Sequence, residues 1–214
     1  MSNAAKVTVV IPNYNGLKFM EPCFKALEMQ ICRDFEILVV DNGSGDGSVE
    51  WLKEHEIPSI FLETNTGFSG AVNVGIRASK TPYVILLNND TEPDCHYIGE
   101  MIKAIERSPK IFSVSSKMIQ LYDHSKMDDA GDMYTRYGMG VFKGAWDGPP
   151  AAITESFGYF LPVLGLLFTA GRYLRPSVIL MRCILHIWKI LMWATGPVSM
   201  DMIIFTAPQR SFIM

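Results

Sequence analysis

The sequence predicts an α/β fold, a mostly parallel sheet with helices on both faces. Three observations carry this. Strand-like and helix-like stretches alternate four times with short links, the pattern of a parallel sheet covered by helices. The run at 83–87 is continuously apolar rather than alternating, as strands buried on both faces are, and 6–11 and 35–40 are rich in β-branched and apolar residues. Each of these runs then stops in polar residues: Asn13 and Tyr14 after the first, Asp41 and Asn42 after the second, Asn88, Asn89 and Asp90 after the fourth. In an open α/β sheet those loops share one edge, and ligands bind there.

The elements follow in order. KVTVVI at 6–11 is a β-branched run closed by Pro12, and PNYNG at 12–16 is a turn. Apolar residues at 17, 20, 24, 27 and 31 have helical spacing, which predicts a helix over 17–30. FEILVV at 35–40 is the second strand. DNGSGDGS at 41–48 is a loop, followed by a short helix over 49–56 and a brief third strand, IFL, at 60–62. Asn65-Thr-Gly67 leads into a helix over 68–79, and the fourth strand occupies 83–87. A helix over 94–108 is stopped by Pro109, and 112–121 alternates well enough for one further strand. No internal repeat is visible.

At 214 residues the chain holds one or two domains, and its 49% apolar content is ample for a core. The net charge of −3 argues against a nucleic-acid surface. Cys23, Cys32, Cys95 and Cys183 show no CxxC or Cys/His metal spacing and read as free thiols of a reducing cytosol. The first residues lack the apolar core of a secretion signal, so a cytoplasmic location is expected. Composition breaks sharply along the chain. Of the 22 acidic residues, only Glu155 and Asp201 lie in the last 64 positions, against five basic residues there.

Several nucleotide and metal motifs are absent. There is no GxxxxGK[ST], and the first strand leads into PNYNG rather than GxGxxG. The loop 41–48 superficially suggests a calcium loop. Its twelfth position is Leu52 or Lys53, depending on the start, where an EF-hand needs a glutamate.

The remaining motifs, taken together and in order, resemble the family 2 glycosyltransferases, which have the Rossmann-like GT-A fold. The resemblance covers about residues 6–135. VVIPNYNG at 9–16 is similar to the family's opening strand and loop, and ILVVDNGSGDGS at 37–48 to its second strand and DNGSxDGS loop. NTGFSGAVNVGI at 65–76 is similar to NxGFxxxxNxGI, and LLNNDT at 86–91 falls where the family places its DxD-type motif. Asp129-Ala-Gly131 also occurs in the rhamnosyltransferase-like branch.

The resemblance implies donor contacts from Pro12, Asn13 and Tyr14, from Asp41 and Asn42, and from Asn65, Gly67 and Asn73. It also implies Asn88 facing the ribose, Asn89 as a further substrate contact, and a divalent cation, Mg²⁺ or Mn²⁺, at Asp90. Each assignment has a chemical reason and a plainer alternative. The Tyr14 ring can stack on a pyrimidine or pack over the first helix. Asp41 can accept from a base N3–H, favouring uracil or thymine, or cap its own turn. Asn65 and Gly67 can bring backbone to a pyrophosphate that Asn73 orients, while Thr66 or Ser69 can simply cap the helix. Gly43, Gly45 and Gly47 are turn residues. One carboxylate plus amide oxygens suits a hard cation that arrives with a diphosphate. The family more often has Asp where Asn88 stands, so one charge is missing.

The implied reaction is inverting, metal-dependent transfer of a sugar from dTDP-rhamnose or a UDP-sugar to a saccharide or lipid-linked saccharide. A carboxylate of a Glu-Asp pair, well beyond the DxD-type motif, acts as base. No Glu-Asp pair follows Asp147. We therefore expect two parts: a nucleotide-sugar-binding domain over 1–142 and an atypical hydrophobic tail over 143–214, the fold being truncated or aberrant after about residue 140.

The tail reads as the same gene in a shifted frame. With codons rebuilt from each third base and the next two, Trp188-Lys189 must give Glu, Met192-Trp193 Val and Trp193-Ala194 Gly, while Lys189-Ile190 gives Asp or Asn. The result, Leu-Glu-Asp-x-x-Val-Gly, resembles the missing catalytic segment. The competing reading is a membrane tail. The uncharged run 156–171 is short of the ~20 residues that span a bilayer. Arg182, His186 and Lys189 would instead form a basic helix face lying on the inner surface of a membrane. From another class, a non-catalytic nucleotide-binding module would bind UDP or dTDP without a metal.

Overall fold

A computed structural model describes residues 5–109 and 118–124 in full, and 111–116 with a strand over Ile111–Ser115. Beyond these it describes short backbone elements between 127 and 213. Of the fully described residues, 5–21 and 33–90 fall in one compact unit and 22–32 and 91–124 in a second. The expected boundary at 142/143 lies outside the fully described residues, as do the side chains of Asp129 and the tail.

The first unit is built on four strands: β1 (Val7–Asn13), β2 (Phe35–Asp41), β3 (Ser59–Phe61) and β4 (Tyr83–Leu86). They are parallel and ordered β4-β1-β2-β3. The chain steps outward from β1 to β2 to β3, then returns to the other side of β1 as β4. The order therefore reverses between β1 and β4, which is the switch point where such sheets open a crevice at their carboxyl edge. The register pairs Asn13 with Asp41, so both strands end level at that edge.

The buried faces explain the continuous apolar runs. Val7, Val9, Val10, Ile11, Val39, Val40, Val84 and Ile85 are all at most 1% exposed. Helix α3 (Phe68–Ala78) packs against β1 and β2 through Gly75, where an added Cβ would collide with Val10 and press on Val40. Thr8 is the polar exception inside β1. Its hydroxyl donates to Glu36 at 2.8 Å and accepts from Ser79 at 2.9 Å, so burying it leaves nothing unpaired. Helix α2 (Ser48–Glu54) links β2 to β3.

Helix α1 (Leu17–Glu28) ends two residues before the predicted limit, and Pro22 sits exposed within it. The second unit carries α4 (Tyr97–Ile105) and β5 (Ile111–Ser115). Strand β5 pairs antiparallel with β10 (Leu166–Thr169) and parallel with β11 (Ile203–Thr206). A separate sheet has the order β12 (Phe212–Ile213), β6 (Met118–Ile119), β7 (Met127–Tyr134), β8 (Gly140–Trp146), with β9 (Phe160–Leu161) on β7.

Two expectations change here. The single strand over 112–121 is two strands, because β5 and β6 pair in different sheets, with Ser116 lying outside both. The helix expected from 94 starts at Tyr97. The Asp94 carboxylate accepts the His96 N–H at 2.9 Å, a local turn that competes with helix. Among the described residues, no helix is long and apolar enough to cross a membrane.

Candidate functional site

The polar residues at the carboxyl edge of the first unit meet through one side chain. Asn13, the last residue of β1, is 1% exposed. Its amide nitrogen donates to Asp41 Oδ2 at 2.7 Å and to Ser44 Oγ at 3.2 Å, and its Oδ1 accepts from Asn89 Nδ2 at 2.7 Å. A single amide thus ties the ends of β2 and β4 to β1 across the switch point. Gly16 makes room for the bridge: a Cβ there would collide with the Asn89 amide and lie 2.6 Å from Asn13 Oδ1.

The loops at 12–16 and 41–48 are clamped together. Ser44 Oγ also accepts the Asn15 N–H at 2.9 Å, and Asn15 Oδ1 accepts the Gly45 N–H at 2.8 Å. Asn15 holds φ +52, a conformation asparagine tolerates better than most residues. Asp46 receives the Leu17 N–H at 2.9 Å and the Ser48 N–H at 3.0 Å, so one carboxylate serves the first turns of both α1 and α2. Desolvation pushes its pKa up. Hydrogen bonds from the Ser48 side chain and from backbone at Leu17 and Ser48 outweigh that and hold it below the ordinary carboxylate value.

A third cluster forms the entry to α3. Asn42 donates to Asn65 Oδ1 at 2.9 Å and to the Gly67 carbonyl at 3.2 Å. It accepts from the Thr66 N–H at 2.9 Å and the Thr66 hydroxyl at 3.0 Å. Asn65 Oδ1 takes the Gly67 N–H at 2.8 Å. Gly67 stands before α3 with φ +79 and ψ 167, a region that only glycine adopts readily. No side chain caps the helix, so the expected alternative of capping by Thr66 or Ser69 is not used. The Thr66 hydroxyl donates its hydrogen to Asn42 Oδ1.

Three of the expected contact residues are buried. All four hydrogen-bonding capacities of the Asn42 side chain are taken, so it holds the 65–67 loop rather than offering itself to a ligand. Asp41 is 0% exposed, and its carboxylate accepts from the Asn13 amide and the Ser44 N–H. Asn73 is 6% exposed on the buried face of α3, not at an open edge. Asn13 itself is enclosed. Tyr14 is 51% exposed, and Asp90 is exposed. Pro12, Asn88 and Asn89 are half-buried, and Asn65 and Gly67 are exposed. The sequence reading missed Asn15, Gly16, Ser44 and Asp46 as members of the site. Their only signal was membership of the two loops that end β1 and β2.

The donor set fits a hard divalent cation. Asp90 supplies one accessible carboxylate and Asn88 and Asn89 stand next to it in sequence, leaving coordination to be completed by phosphate and water.

An open parallel sheet with amides and carboxylates gathered at its switch point is the type of α/β domain that takes ligands at that edge. Residues 8–144 match Glycosyl transferase family 2, and the chain belongs to that family. The uncharacterized glycosyltransferase RC0461 of Rickettsia conorii is 29% identical over 148 residues, covering 66% of this chain and 23% of that protein. Glycosyltransferase GlyA of Streptococcus pneumoniae is 33% identical over 105 residues, 47% of this chain and 15% of that protein. The chain thus spans less than a quarter of either relative. Among solved structures, S. aureus TarS 1–349 is similar with TM-score 0.68 at 15% identity, over 97% of this chain and 60% of that one. The same protein in complex with UDP gives TM-score 0.65 at 15% identity, over 98% and 60%. The expected GT-A type of α/β fold is the one found.

Proposed function

We propose that the first unit binds the nucleoside diphosphate of a sugar donor and that the family reaction, sugar transfer to an acceptor hydroxyl, is the activity for which this crevice is built. The observation that carries the reading is the Asn89–Asn13–Asp41 bridge across the β4/β1 switch point, with Tyr14 and Asp90 left exposed in the adjoining loops. Tyr14 offers a stacking face to the base. The uncapped start of α3 at Gly67 presents backbone N–H groups and the positive end of a helix dipole to the diphosphate. Asp90, with Asn88 and Asn89, would hold Mg²⁺ or Mn²⁺. That ion would offset the charge of the departing diphosphate.

The donor we favour is dTDP-rhamnose or a UDP-sugar, the reaction inverting, and the acceptor a saccharide or lipid-linked saccharide in polysaccharide assembly. The TarS structure holding UDP supports a pyrimidine donor by analogy of fold alone. Residues 143–214 are read as out-of-frame sequence, and the base of the reaction is therefore missing from this form, which binds donor but transfers no sugar. Resequencing the source DNA around codon 140 tests that part directly, and an unshifted frame overturns it. The absent Glu-Asp pair also favours a second reading, a nucleotide-binding module without catalysis.

Calorimetry with UDP, dTDP and GDP, each with and without Mn²⁺, separates the two. Metal-dependent binding of UDP or dTDP supports the donor site, and metal-independent binding supports the module. No binding of any of the three overturns both.

A further inference from the structure

We propose that Asp94, Cys95 and His96 form a second cation site, for a borderline metal of the Zn²⁺ class, chemically distinct from the oxygen donors around Asp90. The sequence shows none of the usual Cys/His metal spacings, because the donors are three consecutive residues. The structure brings them together. His96 Nδ1 lies 3.1 Å from Cys95 Sγ and 3.3 Å from Asp94 Oδ1. All three ligand atoms fall within 4.8 Å of one another.

The two distances from His96 are close to those of a tetrahedral centre. With metal–ligand bonds of about 2.0 Å to nitrogen or oxygen and about 2.3 Å to sulfur, neighbouring ligand atoms stand roughly 3.3–3.5 Å apart. The Asp94–His96 distance is already in that range, and the Cys95–His96 distance needs only a few tenths of an ångström. One imidazole, one thiolate and one carboxylate also suit zinc by ligand type, whereas Mg²⁺ and Mn²⁺ prefer oxygen alone. Three protein ligands leave a fourth position for water. The Asp94 and His96 side chains are 36% and 35% exposed, so an ion can enter.

The backbone beneath the donors is fixed, which distinguishes the cluster from a chance meeting of mobile side chains. Gln30 is fully buried. Its Nε2 donates to the carbonyls of Asp94 at 2.6 Å and Pro93 at 3.3 Å, and its Oε1 accepts the Ile98 N–H at 3.1 Å. The Ile31 N–H donates to the Cys95 carbonyl at 2.8 Å. Asp94 Oδ1 also accepts the His96 N–H at 2.9 Å, which orients the carboxylate as outer hydrogen bonds orient ligands elsewhere. The triad is therefore held before any metal arrives.

The test uses the full chain, freed of metal and kept reduced, titrated with Zn²⁺ against a chromophoric chelator and with Co²⁺ by absorption. One equivalent of Zn²⁺ and a thiolate-to-cobalt charge-transfer band are expected. Cys95→Ser should abolish the band, and Cys95→Ser and His96→Gln should each weaken Zn²⁺ by more than about tenfold, the scale on which even outer-sphere changes act. Asp90→Ala should leave both signals unchanged, so failure here is distinguishable from failure of the donor-site reading. Circular dichroism of both variants checks that they fold, and His96→Gln supplies the answer if Cys95→Ser does not. No tight equivalent in the parent chain, or one that survives both substitutions in folded protein, overturns the site.

Discussion

Replacing Asn13 by aspartate tests whether the bridge across the switch point is built as described. The side chains are nearly isosteric, so packing is kept and only the donor changes. In the parent chain the Asn13 amide nitrogen gives a hydrogen to the buried Asp41 carboxylate at 2.7 Å. In Asn13→Asp two carboxylates face each other at that distance, in a place water does not reach. Two unit charges about 4 Å apart repel by about 4 kcal/mol at an effective dielectric of ~20. The pair can escape by holding one proton, as close carboxylate pairs do. Keeping a carboxyl of ordinary pKa near 4 protonated at pH 7 costs about 1.4 kcal/mol per pH unit, again about 4 kcal/mol. The two routes agree, and about 4 kcal/mol is a large part of the 5–15 kcal/mol by which domains are stable.

The pH dependence follows from the same proton. The shared site has a folded pKa raised above its unfolded value. The penalty is therefore absent below about pH 4, grows as pH rises past the unfolded value, and levels off above the folded one. Urea unfolding of parent and variant at pH 7 and pH 5 should give a stability gap of about 4 kcal/mol that narrows to about 1–2 kcal/mol. Asn13→Leu is the control. It also strips Asp41 of a charge-assisted partner, at a cost of about 1.5–3 kcal/mol, but carries no proton of its own. An Asn13→Asp penalty below about 1 kcal/mol, or one equal at both pH values, would refute the bridge.

Asp46→Ala removes the acceptor shared by the first turns of α1 and α2. It should cost about 1 kcal/mol at pH 7 by thermal unfolding, a figure kept low because the carboxylate is exposed. Since the folded pKa of Asp46 is lowered, that contribution is present above the unfolded value and vanishes as pH falls through the folded one, so parent and variant should converge in acid. Gly16→Ala should separate Asn89 from Asn13 and weaken UDP or dTDP binding, read by calorimetry alongside an unfolding curve that shows the domain still folded. Tyr14→Ala should reduce nucleotide affinity by about 1–3 kcal/mol with no change in metal dependence. Asp90→Ala should instead leave metal-free binding untouched and erase the gain on adding Mn²⁺, with unchanged thermal stability because Asp90 is exposed.

The strand ends were readable because the physics there is local. Val9, Val10, Ile11 and their counterparts at 37–40 and 83–87 are apolar without interruption, and a parallel sheet buried on both faces is what such runs form. From that the common edge of Asn13, Asp41 and Asn89 followed before any coordinates. What the residues do to one another was not readable. Asn42 looks as available as Asn89 in a one-dimensional string, yet four partners from the 65–67 segment saturate it. The late start of α4 depended on a carboxylate at Asp94 choosing its own backbone. The break at Ser116 depended on which sheet each half-strand joined.

This distinction between used and unused groups sharpens the functional argument. In the loops at the sheet edge, Asn13, Asp41 and Ser44 are consumed in holding the strand ends together and Asn42 in holding the 65–67 loop. A buried amide or carboxylate so engaged is costly to release, because whichever partner is left behind loses its hydrogen bond away from water. Binding energy must then come from groups that are not engaged. Tyr14 and Asp90 are exposed, and the first turn of α3 has no side-chain cap. In the proposed donor site, an aromatic face, a carboxylate and a helix start would meet a planar base, a divalent cation and a diphosphate. The enclosed network sets where they stand, so substitutions within it should act on stability and affinity together, and substitutions at Tyr14 or Asp90 on affinity alone.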